Sequence, residues 1–324
     1  MSIMINANFL EALTQDMYDW AFEAYTNEPV IWPQLCEIKS LDTGDGWKGT
    51  STYGLDILDD VPDEQEAQIS EFGEAFTWRI RIKNLRKKFV ITENMLADTN
   101  KEKLSADLQS LGQQWGQMVR LTEEQAVARL FNKGMLTAGD KTAFDNSYTN
   151  ETDPNAGFIY DGLPWFDTLH PLHLDSDTTF ANHTETLAFS AANLKTAYTA
   201  MTVTNAKNER NQEIQIVPEV VLANPNLKFT IDPILKSQYG VDANLTLNTI
   251  QGIVEPIYWR LLSDTDAWYL GIPKKGILFY DRQPMRITIA QIPGKNAFAV
   301  EVKRRFGVGI TNWRYWYCAN AAAA

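Results

Sequence analysis

Apolar residues recur at helical spacing between Asp98 and Met135: Leu104, Leu108, Leu111, Trp115, Met118 and Val119, then Ala126, Val127, Leu130 and Phe131. Steps of three and four place them on one stripe of an α-helix, with Lys101, Asp107, Gln114, Arg120 and Glu124 expected to face away. No proline interrupts the run. Gly112 and Gly116 weaken it, and Thr122-Glu-Glu-Gln125 offers a capping box for a second helix. As one helix, some thirty residues at ~1.5 Å each make a rod of about 45 Å. Helices in compact domains average about 11–12 residues, so this pattern predicts a flat or extended molecule with a spine.

Ahead of the spine, Phe9, Leu10, Leu13, Met17 and Trp20 share a helical stripe, followed by Phe22 and Tyr25. Pro29 and Pro33 then predict extended backbone, so residues 1–44 are expected to form an arm. In 45–92, Trp47 to Ile57 reads as extended, and Trp78, Ile80 and Ile82 alternate with Arg79, Arg81 and Lys83. The two stretches predict a long β-hairpin with arms of opposite charge. A lone hairpin is marginal in water, so this one is expected to lie on another surface.

Beyond the spine, 138–158 reads as a polar loop and Asp161-Gly162 as a turn. A helix is predicted over 190–202 and a short one over 228–239, despite Pro233. Strands are expected at 214–223, where Pro218 marks an edge or bulge, and at 245–257, 268–272, 276–280, 285–292, 297–302 and 306–316. The alanine-rich tail 319–324 is expected to fray. This order of elements is α+β.

With 324 residues, 44% of them hydrophobic, the chain can bury a large core in two domains or one elaborate one. Its 10 Trp, 12 Tyr and 15 Phe exceed what a monomer needs and suit large interfaces. A net charge of −12 argues against nucleic-acid binding over the whole surface. The charge is also segregated. Asp56, Asp59, Asp60, Asp63, Glu64, Glu66, Glu71 and Glu74 run without a base, and Arg79, Arg81, Lys83, Arg86, Lys87 and Lys88 without an acid. Either these blocks are solvated faces, or they pair with the next subunit.

Cys36 and Cys318 form no disulfide framework and are expected to be free, buried thiols. Met1 to Trp20 holds Glu11, Asp16 and Asp19 and no base, unlike a signal peptide. No apolar run approaches the ~20 residues of a membrane span, so a soluble cytosolic product is expected.

Catalytic patterns are weak. His170 and His173 form an H-x-x-H pair, but Pro171 prevents the helix that would align them on a metal, and no Cys lies nearby. His183 sits in a Thr/Asn stretch and is expected to be solvent-exposed. Gly134 to Thr142 resembles a phosphate loop with Asp140 inserted, and follows a helix instead of a strand; a glycine-closed helix end is the better reading. The triplets at Asn150, Asn182 and Asn244 carry no glycosylation without secretion. A structural protein without catalytic residues, cofactor or metal is expected.

The arm, charged hairpin, spine, mixed domain and closing strand together resemble the Hong-Kong-97-type major capsid fold of tailed phages. Within it, Tyr160-Asp-Gly-Leu-Pro-Trp-Phe-Asp-Thr-Leu-His-Pro171 is similar to the segment after the spine in Mu-like major head subunits. Gln215 to Ala223 before a helix and Val302-Lys-Arg-Arg-Phe-Gly-Val308 before the closing strand also fit. The resemblance implies an arm at 1–44 and an extended loop at 45–92. It implies a peripheral domain at 93–189 with its spine at 98–135, an axial domain at 190–285 and a return to the peripheral domain at 286–324. It further implies self-assembly through hexamers and pentamers into an icosahedral shell enclosing double-stranded DNA, within a virion assembled in the host cytoplasm. A separate scaffolding protein, a portal and a decoration protein are the implied partners, with no membrane. Arg79, Arg81 and Lys83 would then pair between subunits with acids such as Asp59, Asp60, Glu64 and Glu66. The alternatives are an encapsulin-like shell enclosing enzyme cargo, and a soluble hydrolase using His170, His173 and nearby carboxylates.

Overall fold

A computed structural model describes residues 7–40, 44, 46–53, 66, 69, 73–92, 101–135, 159–173, 176–239 and 247–321. The spine is a single helix, α3 (Lys101–Asn132), of 32 residues. At ~1.5 Å per residue it is about 48 Å long. The second cap expected at Thr122 does not form, because the Thr122 hydroxyl donates to the Met118 carbonyl within the continuous helix at 2.6 Å.

Helix α1 (Ala7–Asn27) lies along the spine of its own chain. Met17 and Ala21 are fully buried in that contact. The two spine glycines make it possible: a Cβ on Gly116 would stand 2.0 Å from the Ala21 carbonyl oxygen, and one on Gly112 3.2 Å from that of Met17. They lower helix propensity but permit backbone-to-side-chain approach. Pro33, expected in extended chain, instead sits in the first turn of α2 (Trp32–Leu35), where its missing N–H costs nothing.

Two sheets flank the spine. The first has the order β1 (Glu37–Ser40), β11 (Ile277–Gln291), β12 (Ala297–Ile310), β4 (Lys83–Thr92). Expected strand pairs 276–280 with 285–292, and 297–302 with the start of 306–316, are here two long continuous strands. The register of β11 slips between Asp281 and Arg286, around Pro284, which has no N–H to give the ladder. The hairpin is real but shorter than expected: β2 (Gly46–Tyr53) pairs with β3 (Gly73–Arg81), whereas 83–92 belongs to the sheet beside the spine. Strand β2 itself contains Lys48 and no acid, and most of the acidic block expected on that arm lies outside the described residues.

The second sheet has the order β7 (His183–Thr184), β13 (Trp316–Ala319), β10 (Trp268–Gly271), β8 (Val220–Ala223), β9 (Glu255–Tyr258). Strand β8 is four buried residues between two neighbours, so Pro218 precedes an interior strand and marks no edge. The long 245–257 strand reduces to β9 and a bridge from Leu247 to Tyr239. Helices α4 (Ala191–Thr199), capped by the Ser190 hydroxyl, and α5 (Lys228–Lys236) cover this sheet. Short pairs β5 (His170–Pro171) and β6 (Thr179–Phe180) complete the chain. Ala319 and Ala321 are buried, so the part of the tail that is described is packed, not frayed. The 138–158 loop lies outside the described residues.

Residues of both sheets share one buried cluster with Phe131, which packs the end of the spine onto the second sheet. The Phe131 ring centroid is 4.9 Å from Trp165, 5.1 Å from both Tyr269 and Trp316, and 6.0 Å from Trp259. Such offset and edge-on contacts add to the burial of large apolar area.

Candidate assembly surfaces

The hairpin is anchored through one face. Ile80 is fully buried against Leu278 and Tyr280, and Phe76 stacks obliquely on Tyr160 with centroids 5.0 Å apart. The opposite face carries the basic residues. Arg79 is half-buried directly across from Lys48, so two cations share that face, and Arg81 is exposed across from Gly46. Lys83 is not on the hairpin. It opens β4 opposite Phe306, half-buried, where burial and the charge of Arg129 lower its pKa. Glu66 is exposed, while Asp59, Asp60 and Glu64 lie outside the described residues. Ile69, inside the acidic block, is 94% exposed.

The charges that bind the body together lie elsewhere. Glu123 and Arg304 are buried, and Arg304 Nε donates to Glu123 Oε1 at 2.7 Å. Arg304 also grips Asp281 with both terminal nitrogens and donates to the Gln283 carbonyl, both presented by the irregular stretch of β11. Arg120 reaches Glu123 at 3.2 Å and the Tyr25 hydroxyl at 2.9 Å, and that hydroxyl donates to Glu123. Two cations and two anions thus tie α1, the spine, β11 and β12. Burial alone would lower the Arg304 pKa, but pairing with Asp281 and Glu123 outweighs it and raises the value. Burial and the Glu123 charge push the Tyr25 phenol up to about 12. Glu124 accepts from the backbone N–H of Ile31 and Trp32, at 2.6 and 3.2 Å, and so holds the end of the arm. Arg120 and Glu124, expected on the solvent side, therefore face inward. A carboxylate on an apolar stripe, next to a second one, was the only sequence signal of this knot.

A groove of about 490 Å³ runs between the spine and β4. Its floor includes Trp115, Met118, Val119 and Leu85, with Arg86 and Lys87 on its rim. Met118, expected to point into the core, is 50% exposed here, and Leu121 is 37% exposed.

His170 and His183 are structural. His170 is fully buried, stacked 4.7 Å from Trp313, with Nδ1 2.7 Å from Asp161 Oδ2 and Nε2 3.1 Å from the Trp165 carbonyl. Both ring nitrogens are engaged inside the fold, which removes the ligand pair the hydrolase alternative needs. The Asp161-Gly162 turn forms as expected, with Gly162 at φ +79°. His183 is buried against expectation, bonded through Nε2 to the Ala321 carbonyl, and burial lowers its pKa. Asn182 is buried as well, donating to the Trp165 carbonyl at 2.8 Å. At the spine's end Gly134 makes room for Phe166 rather than adopting positive φ. Cys36 and Cys318 are free and buried, and burial raises both thiol pKa values. Among the described residues no cluster of three His, Cys, Asp or Glu is placed to hold a metal, and no helix is long and apolar enough to cross a membrane.

This architecture can be compared with known proteins. A family model described as phage capsid protein matches residues 80–319, from the hairpin's inner strand to the closing strand. The chain belongs to the phage capsid protein family. The capsid structure of the cyanophage P-SCSP1u matches with a TM-score of 0.54 at 12% identity, over 92% of this chain and 89% of that chain. A chain of Mycobacterium phage Patience matches with a TM-score of 0.53 at 12% identity, over 100% of this chain and 91% of that chain. No curated protein sequence matches. The fold of this capsid protein is of the Hong-Kong-97 type; the narrower likeness to Mu-like subunits rests on the sequence of 160–171 and its neighbours alone.

Proposed function

We propose that this capsid protein is the major head subunit, that it self-assembles through hexamers and pentamers into an icosahedral shell, and that the shell encloses a double-stranded DNA genome within a virion assembled in the host cytoplasm. The observation that carries this reading is the hairpin. Its root is fixed by buried Ile80, while the block beyond β2 carries Ile69 94% exposed among acids. A large apolar residue left bare on an anchored arm suits a surface that a neighbouring copy covers. Arg79 and Arg81 pair with acids of that neighbour, from the block that includes Asp59, Asp60, Glu64 and Glu66. These pairs give register and partner choice more than affinity.

In this reading α3 and the first sheet form the peripheral domain, and the second sheet with α4 and α5 the axial domain. Residues 1–44 are the arm and the β2–β3 hairpin is the extended loop. Within 286–324, β12 returns to the peripheral sheet and β13 to the axial one. A scaffolding protein, a portal and a decoration protein are its further partners. The acidic total favours DNA confined by the shell over DNA gripped by it.

Negative-stain microscopy with light scattering tests the assembly itself: closed shells, or capsomers exchanging with them, are expected. Because Lys83 is half-buried beside Arg129, the charge test uses Arg79→Glu with Arg81→Glu and leaves Lys83 in place. That variant is expected to lose shells while its thermal melt stays unchanged. Normal shells from it would overturn the role given to the two arginines.

A further inference from the structure

The groove between the spine and β4 is apolar at its floor and basic at its rim, and none of the described residues fills it. Met118 and Leu121 stand exposed along it. Lys87 is exposed, and the Arg86 side chain is 63% exposed, with a long 3.8 Å approach to Glu301 among the described residues. A surface of this kind accepts a helix with an apolar ridge and acidic flanks. The chain supplies one. Helix α1 contains no Lys or Arg, and its face away from the spine displays Asp16, Asp19 and Glu23 around Phe22, which is 50% exposed. Tyr18 stacks on Phe22 with centroids 5.9 Å apart, extending the ridge.

We propose that the outer face of α1 in one copy docks into the spine–β4 groove of a second copy, with Phe22 against Met118 and Leu121, and with Asp19 and Glu23 facing Arg86 and Lys87. The inference rests on the shell reading above. In the subunit, α1 covers the spine at Gly112 and Gly116, whereas the groove opens along Trp115, Met118 and Thr122, so ridge and groove are different patches of one chain. Such a contact repeats head to tail and closes into a ring when the rotation permits, as a capsomer requires. The spine would then bind two copies of the same helix, its own on the small-residue side and a neighbour's on the Met118 side.

Cysteine cross-linking tests it. Phe22→Cys and Met118→Cys chains, purified separately and mixed during assembly under mild oxidation, are expected to shift to a disulfide-linked heterodimer on a non-reducing gel. Either variant alone should not shift, and native Cys36 and Cys318 are buried and do not compete. Arg86→Glu with Lys87→Glu on the Met118→Cys chain should abolish the cross-link, and Asp19→Lys with Glu23→Lys on the other chain should restore it. Shells that form without this cross-link overturn the docking and leave the shell reading standing. An Ile69→Cys chain that links to Met118→Cys in its place would assign the groove to the acidic hairpin block. A chain that stays monomeric throughout overturns the shell reading, and the docking with it.

Discussion

Glu123→Gln is the sharpest probe of what holds this subunit together. The carboxylate is fully buried and receives Arg304, Arg120 and the Tyr25 hydroxyl. The amide keeps its size but deletes one of two anions, leaving a buried cluster with an excess cation. Removing one partner of a buried ion pair costs about 3–5 kcal/mol, because the other is left desolvated. Arg304 keeps its two-point grip on Asp281, whose side chain is 33% exposed, so the lower end applies, about 3 kcal/mol. For a chain of this length ~2 °C of melting temperature is lost per kcal/mol, giving a drop of about 6 °C by circular dichroism. In an Arg304→Gln background the same substitution should cost far less, since the two groups act as a unit. A Glu123→Gln chain melting within about 1 °C of the parent would refute the argument that the knot ties arm, spine and sheet.

Two further outcomes follow from the arm. Gly116→Ala places a methyl 2.0 Å from the Ala21 carbonyl oxygen, and such overpacking costs about 1–3 kcal/mol; hydrogen exchange should then quicken in α1 before other helices, and unchanged α1 protection would refute the close approach. The raised pKa of Tyr25, about 12, means that the unfolded chain releases this proton first, near pH 10, as pH rises. Stability fully present below about pH 10 is therefore lost as pH climbs towards 12, and Tyr25→Phe should flatten that part of a urea-midpoint profile. An identical alkaline profile for Tyr25→Phe would remove Tyr25 as its cause.

Periodicity made the spine, the inner hairpin strand and α4 legible because each buries one face, which the sequence repeats at 3.6 or 2 residues. It failed where tertiary contact reverses a local preference. Gly112 and Gly116 read as weak points of a helix, yet their missing side chains admit α1. Met118 read as core because the stripe of Leu111 and Trp115 predicts it, but β4 stops short of covering it. Glu124 read as solvent-facing because a carboxylate seldom enters an apolar interior, and the two bare N–H groups at the start of α2 explain its place. The charge blocks around the hairpin were visible in the sequence, but strand pairing alone reveals that Lys83 lies on the far side of a break from Arg79 and Arg81. His183 illustrates the same limit: its polar neighbours suggest a loop, while its pairing with β13 buries it.

Phe131 decides whether the subunit docks into a lattice as one body. Strand β12 leaves the spine's sheet, turns through Trp313–Tyr315 and becomes β13 between β7 and β10 of the other sheet, so the two sheets share a covalent path. A covalent path alone would permit hinging. Phe131 opposes it by packing the end of the spine, which lies against the first sheet, onto Tyr269 and Trp316 of the second sheet and onto Trp165 and Trp259 beside it, with 1% of its surface exposed and in one buried cluster with Phe279 and Phe306 of the first sheet. Truncating a core phenylalanine to alanine costs about 3–5 kcal/mol through lost burial and the cavity left behind. At ~2 °C per kcal/mol, Phe131→Ala should melt about 6–10 °C lower, still in one transition if the sheets are coupled. It should also weaken assembly in step with stability, whereas Arg79→Glu with Arg81→Glu affects assembly alone. Two resolved transitions in the parent chain would mean that the aromatic junction does not couple the sheets, and adaptation to different lattice positions would then occur between them, not at the hairpin and arm.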